Sequence, residues 1–364
     1  MKVALFLPSL RGGGAERVMV NLANGFAEHG LQVDLVLARA EGPYLNEIAQ
    51  DVRLVDLGAK RVLRSLPGLI AYLRRERPDA MLSAMDHANL VALWARKIAG
   101  APTRMVVSVH NTTSRTVANA HSLKARYMPR LMQLFYPWAQ AVVAVSAGVA
   151  EDLVDFAGLP RNKIYVIYNP VVTSDMLSRA EQPLDHPWFR PGEPPVVMGA
   201  GRLTVQKDFP TLIRAFHLLR REVPARLIII SEGEERSRLE TLVQELKLDH
   251  DVALPGFVSN PYNLMKHADV FVLSSKWEGL PTVLIEALAL GTSVVSTDCP
   301  SGPAEILENG KWGRLVPVGD VPAMATAILD AMRDRINPNA SKYTKKFSMN
   351  SVVREYLKVL EIDT

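Results

Sequence analysis

The chain has 364 residues, of which 48% are hydrophobic, and a formal net charge of +4 at pH 7. A chain of this length normally forms two domains with full cores. The single cysteine, Cys299, excludes a disulfide framework and fits a reducing compartment such as the cytoplasm. No apolar run approaches the length of a membrane span. Because Pro8 and Arg11 interrupt the short apolar N-terminus, we interpret it as a buried strand rather than a signal peptide.

The first half of the chain alternates short β-rich runs with helical segments, such as the helix predicted over residues 16–28. The predicted strands cover residues 3–7, 33–37, 80–83, 105–109, 141–145 and 164–167. This alternation is typical of a parallel sheet with helices on both faces.

A segment rich in Pro, Asp and Ser, residues 169–195, interrupts the alternation and is predicted to be a linker. A second series of strands follows at residues 195–200, 225–230, 251–254, 270–274, 293–297 and 313–316. We therefore predict an α/β fold with two Rossmann-like domains that face each other across a cleft, where ligands bind at the carboxyl ends of the strands. The first domain comprises residues 1–170, completed by a C-terminal helix within 347–364, and the second comprises residues 171–346.

The most informative stretch carries two carboxylates eight residues apart, Glu278 and Glu286, after the predicted strand at 270–274. Pro281 suits the first turn of a helix, where its missing N–H costs nothing, and the free N–H groups of a helix start attract a phosphate. A carboxylate beside a phosphate site repels that ligand, and binding of sugar hydroxyls is a good reason to place one there. The alternative is an amphipathic helix whose N-terminal Glu is favoured by the helix dipole.

Two loops, each after the first strand of a predicted domain, are candidate ligand contacts. The run Gly12–Gly14 allows close approach of the backbone to a ligand. It matches a dinucleotide fingerprint poorly, because Arg17 stands where the third glycine belongs. In the second loop, Arg202 offers a planar guanidinium and Lys207 a mobile ammonium group. Together they could neutralise a bound diphosphate and stabilise the charge on a diphosphate leaving group. The simpler alternatives are a tight turn and two solvated basic residues.

These features resemble, in this order and over nearly the whole chain, the family-4 retaining glycosyltransferases with the GT-B fold. The resemblance rests on the Gly-Gly-Gly-Ala-Glu loop, the Arg202 and Lys207 pair, the Glu278-x7-Glu286 motif and the crossing C-terminal helix. It implies that Glu286 binds the ribose of a nucleotide sugar, that Glu278 contacts hydroxyls of the transferred sugar, and that the basic pair holds the diphosphate. The donor site that it implies comprises Gly13, Gly14, Arg202, Lys207, Glu278, Gly279, Leu280, Pro281, Thr282 and Glu286.

His110 ends a predicted strand of the first domain. The resemblance implies that it faces the donor sugar and hydrogen bonds to a hydroxyl rather than acting as a general base, whereas a lone histidine there is otherwise a packing or capping residue. The expected catalytic set is Arg202, Lys207, Glu278 and His110. Asp86 and His87, at the end of the preceding strand, are further candidates for the acceptor side. One departure from the family is Ser231, which stands where relatives often carry Gly in a turn near the nucleotide base.

Asp249-His250-Asp251 matches the Asp-x-Asp motif with which metal-dependent glycosyltransferases bind a divalent ion. The triplet precedes a predicted strand, at the end opposite the expected ligand site, so we interpret it as a polar turn. No His/Cys cluster indicates zinc. We expect no metal and no cofactor, with the nucleotide sugar acting as a substrate.

The resemblance implies an enzyme, a metal-independent retaining glycosyltransferase similar to bacterial enzymes of polysaccharide assembly. Its expected reaction moves a hexose or N-acetylhexosamine from a nucleotide sugar, expected to be UDP-linked, to a hydroxyl of a glycan, expected to be lipid-linked. The family offers no obvious carboxylate nucleophile at the anomeric carbon, so the favoured mechanism is front-face transfer in which the leaving diphosphate helps to deprotonate the acceptor. The alternatives are a GT-B nucleotide-sugar epimerase or phosphorylase and a non-catalytic nucleotide-sugar-binding protein.

Thirteen basic and three acidic residues lie between Lys60 and Arg130. Within residues 122–138, helical spacing places the apolar Leu123, Tyr127, Leu131, Leu134, Phe135 and Trp138 beside the basic Lys124, Arg126 and Arg130. Such a helix can lie in a bilayer interface, the alternative being a core-facing helix, with Pro129 and Pro137 limiting its length. We therefore expect a cytoplasmic protein bound peripherally to the anionic inner face of the cytoplasmic membrane. Nucleic acid is not expected as a partner, because no aromatic-basic binding module is recognisable.

Overall fold

The computed structural model describes residues 1–118, 123–334 and 343–362, and no side chains are described for residues 123–125. The chain divides into two compact units. Unit 1 comprises Met1–Pro170 and Lys346–Thr364, and unit 2 comprises Val171–Lys345.

Within the described residues, unit 1 forms a seven-stranded parallel sheet in the order β3-β2-β1-β4-β5-β6-β7. The strands are β1 Lys2–Leu7, β2 Gln32–Leu37, β3 Val52–Asp56, β4 Ala80–Ala84, β5 Arg104–Val109, β6 Ala141–Ala144 and β7 Ile164–Val166. The connecting helices are α1 Gly14–Glu28, α2 Leu66–Glu76, α3 Asp86–Ala99, α4 Thr113–Ala118, α5 Leu123–Phe135 and α6 Ala147–Asp155. Short 3-10 helices lie at Pro43–Glu47, Val62–Ser65, Tyr136–Trp138 and Arg161–Lys163.

Unit 2 forms, within the described residues, a six-stranded parallel sheet in the order β10-β9-β8-β11-β12-β13. Its strands are β8 Val196–Ala200, β9 Arg226–Ile230, β10 Val252–Gly256, β11 Val270–Leu273, β12 Ser293–Thr297 and β13 Arg314–Val316. Its helices are α7 Ser174–Ala180, α8 Phe209–Arg220, α9 Arg236–Glu245, α10 Pro261–His267, α11 Thr282–Ala289, α12 Pro303–Ile306 and α13 Val321–Arg333, with a 3-10 helix at Pro187–Phe189. Both sheets have the strand order of a Rossmann fold.

The last helix, α14 Met349–Leu360, follows a 3-10 helix at Thr344–Phe347 and completes the core of unit 1. Its predicted apolar positions are all buried: Val352, Val353, Tyr356, Leu357 and Leu360. Gly25 of α1 allows this helix to pack closely, because a Cβ at that position would lie 2.7 Å from side-chain atoms of Met349 and Val353.

Every strand predicted from the sequence is present within two residues of its predicted bounds. The strand β3 was not predicted, because it is an edge strand on which only Val52 is buried and Arg53 pairs with Asp34 of β2. The linker prediction for residues 169–195 was wrong in part. Thr173 caps α7, and Met176 of that helix packs against Tyr262 of α10, so tertiary packing orders this segment.

The helix predicted over residues 122–138 is present as α5 with a following 3-10 turn, although Ser122 lies outside the described residues. Pro129 lies inside α5 and does not end it, contrary to the expectation. Met128 and Met132, on the inner side of the helix, are buried, and this packing retains the helix despite the hydrogen bond that proline removes. None of the helices in the described ranges combines the length and the apolar content that crossing a membrane requires.

Candidate functional site

The loop between β8 and α8 carries two of the expected site residues, Arg202 and Lys207. Gly201 opens it with a φ of +146°, and a Cβ there would lie 3.0 Å from Cε of Lys207. The backbone conformation therefore favours glycine, and the alkyl chain of Lys207 lies closely across this position.

Two neighbouring loops hold this loop in place. On one side, the Leu203 N–H donates to Glu232 O at 2.9 Å, and a Cβ on Gly233 would collide with the Leu203 carbonyl oxygen. On the other side, the Ser274 hydroxyl donates to the backbone oxygen of Lys207 at 2.7 Å, and Gln206 bonds to the backbone of residues 276 and 277. The positions of Arg202 and Lys207 are thus fixed from the ends of β9 and β11.

Lys207 and Glu278 form an ion pair, with Nζ 2.6 Å from Oε1. The Ser275 hydroxyl donates to the same carboxylate oxygen at 2.6 Å. Glu278 is buried at 6% exposure, so the lysine and the hydroxyl interact with its charge in a medium that screens poorly. The structure therefore brings together two residues that the sequence places far apart.

The segment Glu278–Thr282 leads into α11. Pro281 occupies the N-cap position, one residue before the predicted first turn, and Thr282 is the first helical residue. The Glu278 N–H donates to Pro300 O at 2.8 Å, and the Ser301 N–H donates to Glu278 O at 3.1 Å. The loop after β12 thereby holds Glu278, Gly279 and Leu280 in front of the helix start.

Glu286 is the fifth residue of α11 and is buried at 8% exposure. Arg202, in contrast, is exposed, and within the described residues its guanidinium makes no hydrogen bond or ion pair. Chemically, this edge of unit 2 offers a free guanidinium, a lysine, two carboxylates and the N–H groups of a helix start, all of which are suitable for a phosphorylated, hydroxyl-rich ligand.

The departure at Ser231 has a structural consequence, because this residue has a φ of +114°. Residues with a Cβ rarely adopt this conformation, whereas glycine does so readily. Its N–H donates to Gly256 O at 2.8 Å, which fixes the turn after β9. The glycine that the resemblance implies at this position would adopt this conformation readily, whereas the serine keeps it at a cost.

Cys299 follows β12 and is buried close to the site. Burial, together with the nearby Glu278 carboxylate, raises the pKa of its thiol to about 12. The thiol is thus uncharged at neutral pH, and we assign it no part in the chemistry.

In unit 1, a side chain of α1 binds the backbone of the glycine run that precedes this helix. The Glu16 carboxylate accepts the N–H groups of Gly12 and Gly13 at 2.8 and 2.9 Å. Gly12 requires glycine for its φ of +106°, whereas a Cβ on Gly14 would meet nothing within 4 Å. The backbone is therefore accessible at Gly14. The role of Glu16 was not predicted, because the N-cap residue Gly13 is not the Ser or Thr of a capping box, although Glu16 lies at the position from which a side chain reaches back to the N-cap N–H.

His110 follows β5, and its Nε2 lies 3.0 Å from the Ser108 hydroxyl oxygen. Burial lowers the pKa of this imidazole to about 4. It is therefore neutral at pH 7, where it can donate or accept a hydrogen bond but is a weak base. Of the two neighbouring candidates, Asp86 is half-buried and His87 is exposed.

Asp249 and Asp251 lie in the turn before β10, at the amino end of that strand. The Asp251 carboxylate is paired with Arg220, at 2.8 Å, and with Arg226. Among the described residues, no group of three or more His, Cys, Asp or Glu side chains is arranged to hold a metal ion.

Two family models match the chain. The model "Glycosyltransferase Family 4" matches residues 12–175, and "Glycosyl transferases group 1" matches residues 182–348. One similar protein is the Campylobacter jejuni N-acetylgalactosamine-N,N'-diacetylbacillosaminyl-diphospho-undecaprenol 4-alpha-N-acetylgalactosaminyltransferase, 29% identical over 99% of both chains. Another is the lipopolysaccharide core biosynthesis glycosyltransferase LpsE of Rhizobium meliloti, 27% identical over 96% of both.

Among solved structures, Anabaena HepE in complex with UDP-glucose superposes with a TM-score of 0.81 at 21% identity, over 99% of each chain. This likeness shows the fold, and it agrees with the two Rossmann-like sheets described above. Together, the two matched models account for most of both units, and the chain belongs to the family-4 glycosyltransferases with the GT-B fold.

Proposed function

We propose that this glycosyltransferase moves a hexose or N-acetylhexosamine from a UDP-sugar to a hydroxyl of a lipid-linked glycan, with retention of configuration. The observation that carries the proposal is the cluster of Arg202, Lys207, Glu278 and Glu286 around the start of α11. The Campylobacter relative, named for a diphospho-undecaprenol acceptor, and HepE, seen with UDP-glucose, support the choice of acceptor and donor.

In this proposal, unit 2 holds the donor. Arg202 and Lys207 bind the diphosphate, together with the N–H groups at the start of α11, and Glu286 binds the ribose. Glu278 contacts hydroxyls of the transferred sugar, and the neutral His110 imidazole contributes a further hydrogen bond to that sugar. We keep Gly13 and Gly14 in the proposed donor site. Gly14 offers the accessible backbone, because the N–H of Gly13 already donates to Glu16.

The proposed chemical step forms a bond from the acceptor oxygen to the anomeric carbon while the bond from that carbon to the diphosphate oxygen breaks. UDP leaves with the bonding electron pair and takes the acceptor proton on its phosphate oxygen. Arg202 and Lys207 stabilise the charge that develops on the diphosphate, which is work that a divalent ion performs in other transferases. We therefore propose that transfer needs no metal.

The outer side of α5 supports peripheral binding to an anionic membrane. Tyr127 and Leu134 are exposed there, next to the exposed Arg126 and Arg130, and Trp138 of the following 3-10 helix is exposed as well. Leu131 and Phe135 are half-buried, so the apolar side predicted from the sequence is divided between core and surface, and the side chains of Leu123 and Lys124 lie outside the described set.

The same surface continues onto neighbouring helices of unit 1. Lys97 of α3 lies over the Trp138 ring, with Nζ 5.8 Å from its centroid. At the end of α2, Arg74 donates to the backbone oxygen of Ile98, whose side chain is exposed. Aromatic side chains mixed with basic ones suit the headgroup region of an anionic bilayer. We propose that this surface brings the enzyme to its lipid-linked acceptor at the cytoplasmic face of the membrane.

A panel of UDP-sugars and undecaprenyl-diphosphate-linked saccharides, analysed by mass spectrometry and by NMR of the new anomeric centre, tests the proposal. Transfer with retention supports it. UDP-sugar turnover that needs no saccharide acceptor would indicate an epimerase, and phosphate-dependent cleavage a phosphorylase. UDP binding without turnover of any donor would indicate a non-catalytic binding protein.

A further inference from the structure

A second cluster of polar side chains lies in unit 1, at the carboxyl ends of β4 and β5. These strands are neighbours, with Ala84 paired to Ser108, and Asp86 and His110 each follow that pair by two residues. Asp86 begins α3, and it is half-buried although it carries a carboxylate.

Two buried side chains, Tyr136 and Asn89, form a hydrogen-bonded chain that ends at this carboxylate. The Tyr136 hydroxyl, on a fully buried ring, donates to Asp86 Oδ1 at 3.5 Å. Asn89 Nδ2 donates to the same hydroxyl at 3.1 Å and to the Ser108 backbone oxygen at 3.0 Å. The chain Asn89–Tyr136–Asp86 therefore directs a hydroxyl at one oxygen of the carboxylate, over a long contact.

The cluster has more acceptors than donors. Asn89 Oδ1 is buried without a hydrogen-bond partner, and among the described residues only Tyr136 donates a hydrogen bond to the Asp86 carboxylate. Burial raises the pKa of this carboxyl, while the nearby His87 and the Tyr136 hydroxyl lower it in part. A donor such as a sugar hydroxyl would compensate for the desolvation of the carboxylate.

We propose that Asp86 binds a hydroxyl of the acceptor saccharide and that Tyr136 and Asn89 position it for this contact. The inference rests on the proposed transfer reaction and adds a specificity-determining residue to it. A carboxylate disfavours a diphosphate but suits a hydroxyl, so Asp86 suits a sugar rather than the donor diphosphate. The test below distinguishes the acceptor saccharide from the transferred sugar, because loss of a donor-sugar contact would lower donor hydrolysis as well as transfer. His87, exposed on the same turn, has no such support and is not assigned.

The test separates acceptor binding from donor binding. UDP-N-acetylgalactosamine and UDP-glucose serve as donors, and undecaprenyl-diphosphate-linked di- and trisaccharides serve as acceptors. For each variant we would measure transfer, hydrolysis of the donor without acceptor, and the Kd of UDP. The variants are Asp86→Asn and Tyr136→Phe, and the control is Asp155→Asn, the same change at an exposed position of α6 in the same unit.

We expect Asp86→Asn to lower transfer by at least about 30-fold, with hydrolysis and the Kd of UDP within about twofold of wild type. Tyr136→Phe, which keeps the buried ring, should raise the acceptor KM by roughly three- to tenfold and leave donor hydrolysis unchanged. Asp155→Asn should match wild type in every measurement.

Unchanged transfer in Asp86→Asn would overturn the assignment, and so would an equal fall of transfer, hydrolysis and UDP affinity. A Tyr136→Phe variant with wild-type acceptor KM would overturn the positioning role. If the wild type transfers sugar to no acceptor, the proposed function itself fails, which is a different result from an active wild type that Asp86→Asn leaves unaffected.

Discussion

Lys207 Nζ lies 2.6 Å from Glu278 Oε1, although 71 residues separate the two in the chain. Glu278 is buried, and the Ser275 hydroxyl shares the same carboxylate oxygen. The pair joins the loop after β8 to the loop before α11, so two side chains proposed to contact the donor also hold the site together. A donor that binds both residues must compete with their mutual attraction.

The ion pair predicts that Lys207 and Arg202 differ in their effect on stability. Lys207→Ala removes the lysine that pairs with the buried Glu278 carboxylate and should lower the free energy of unfolding by about 2–3 kcal/mol. Arg202→Ala removes an exposed, unpaired side chain and should change it by less than about 0.5 kcal/mol. Both should lower donor turnover by about ten- to a hundredfold. Urea denaturation and the rate of UDP release measure the two effects.

The double variant Lys207→Met/Glu278→Gln is the control for this pair. Because it removes both charges together, it should recover most of the lost stability but none of the lost turnover. A Lys207→Ala variant as stable as wild type would show that the ion pair contributes nothing to the fold.

Ser231→Gly should stabilise unit 2. The serine holds a φ of +114°, and glycine relieves the backbone strain of this conformation. Glycine also raises the entropy of the unfolded chain, which offsets part of this gain, so the free energy of unfolding should rise by about 1 kcal/mol. Ser231→Ala is the matched control, since it removes the hydroxyl but keeps the Cβ and should bring no gain. The midpoint of urea unfolding measures both, and an equal or lower midpoint for Ser231→Gly would contradict the strain argument.

Asp34 predicts how unit 1 responds to acid. Burial alone would raise the pKa of Asp34, but hydrogen bonds from Arg53, Tyr72 and Lys2 outweigh it and hold the pKa below the ordinary value of 3.8. A depressed carboxyl pKa contributes stability that is present above the unfolded pKa and is lost as the pH falls through the folded one. Wild-type stability should therefore fall below about pH 4.

Asp34→Asn tests this network directly. The substitution should lower the free energy of unfolding by about 2 kcal/mol at pH 7, a moderate value because Arg53 is half exposed. It should also flatten the acid limb of the stability curve, which is the loss of stability as the pH falls. Glu28→Gln, a change at an exposed position of α1, should leave both the stability at pH 7 and the acid limb of the curve unchanged. An acid limb that is the same in Asp34→Asn and wild type would contradict the role given to Asp34.

The α5 surface predicts salt-sensitive binding to anionic liposomes. Each basic residue near such a surface contributes about 1 kcal/mol, so Arg126→Glu/Arg130→Glu should weaken sedimentation with phosphatidylglycerol vesicles by at least about tenfold. Arg214→Glu/Arg221→Glu carries the same charge change on exposed positions of unit 2 and should bind as wild type does. If the wild-type protein does not sediment with these vesicles at low salt, membrane binding is contradicted and a soluble acceptor is favoured.

The sequence predicted nearly all of the fold because both sheets consist of buried, β-rich strands that alternate with helices. It did not predict β3 or α7, whose order depends on partners elsewhere in the chain, Asp34 and Tyr262. The types of the donor-site residues were predicted from their motifs, whereas their pairing was not. The Lys207–Glu278 ion pair and the Asn89–Tyr136–Asp86 chain join residues that are distant in sequence, and only the folded chain brings them together.

The central claim is that unit 2 binds the diphosphate of a UDP-sugar through Arg202 and Lys207 without a metal ion. Isothermal titration of UDP in excess EDTA tests it most directly, with wild type, Arg202→Ala and the control Arg214→Ala, which removes an exposed arginine of α8. We predict that wild type and Arg214→Ala bind UDP equally, and that Arg202→Ala binds at least about tenfold more weakly. Binding that requires added Mg²⁺ or Mn²⁺, or an Arg202→Ala variant with wild-type affinity, would contradict the account.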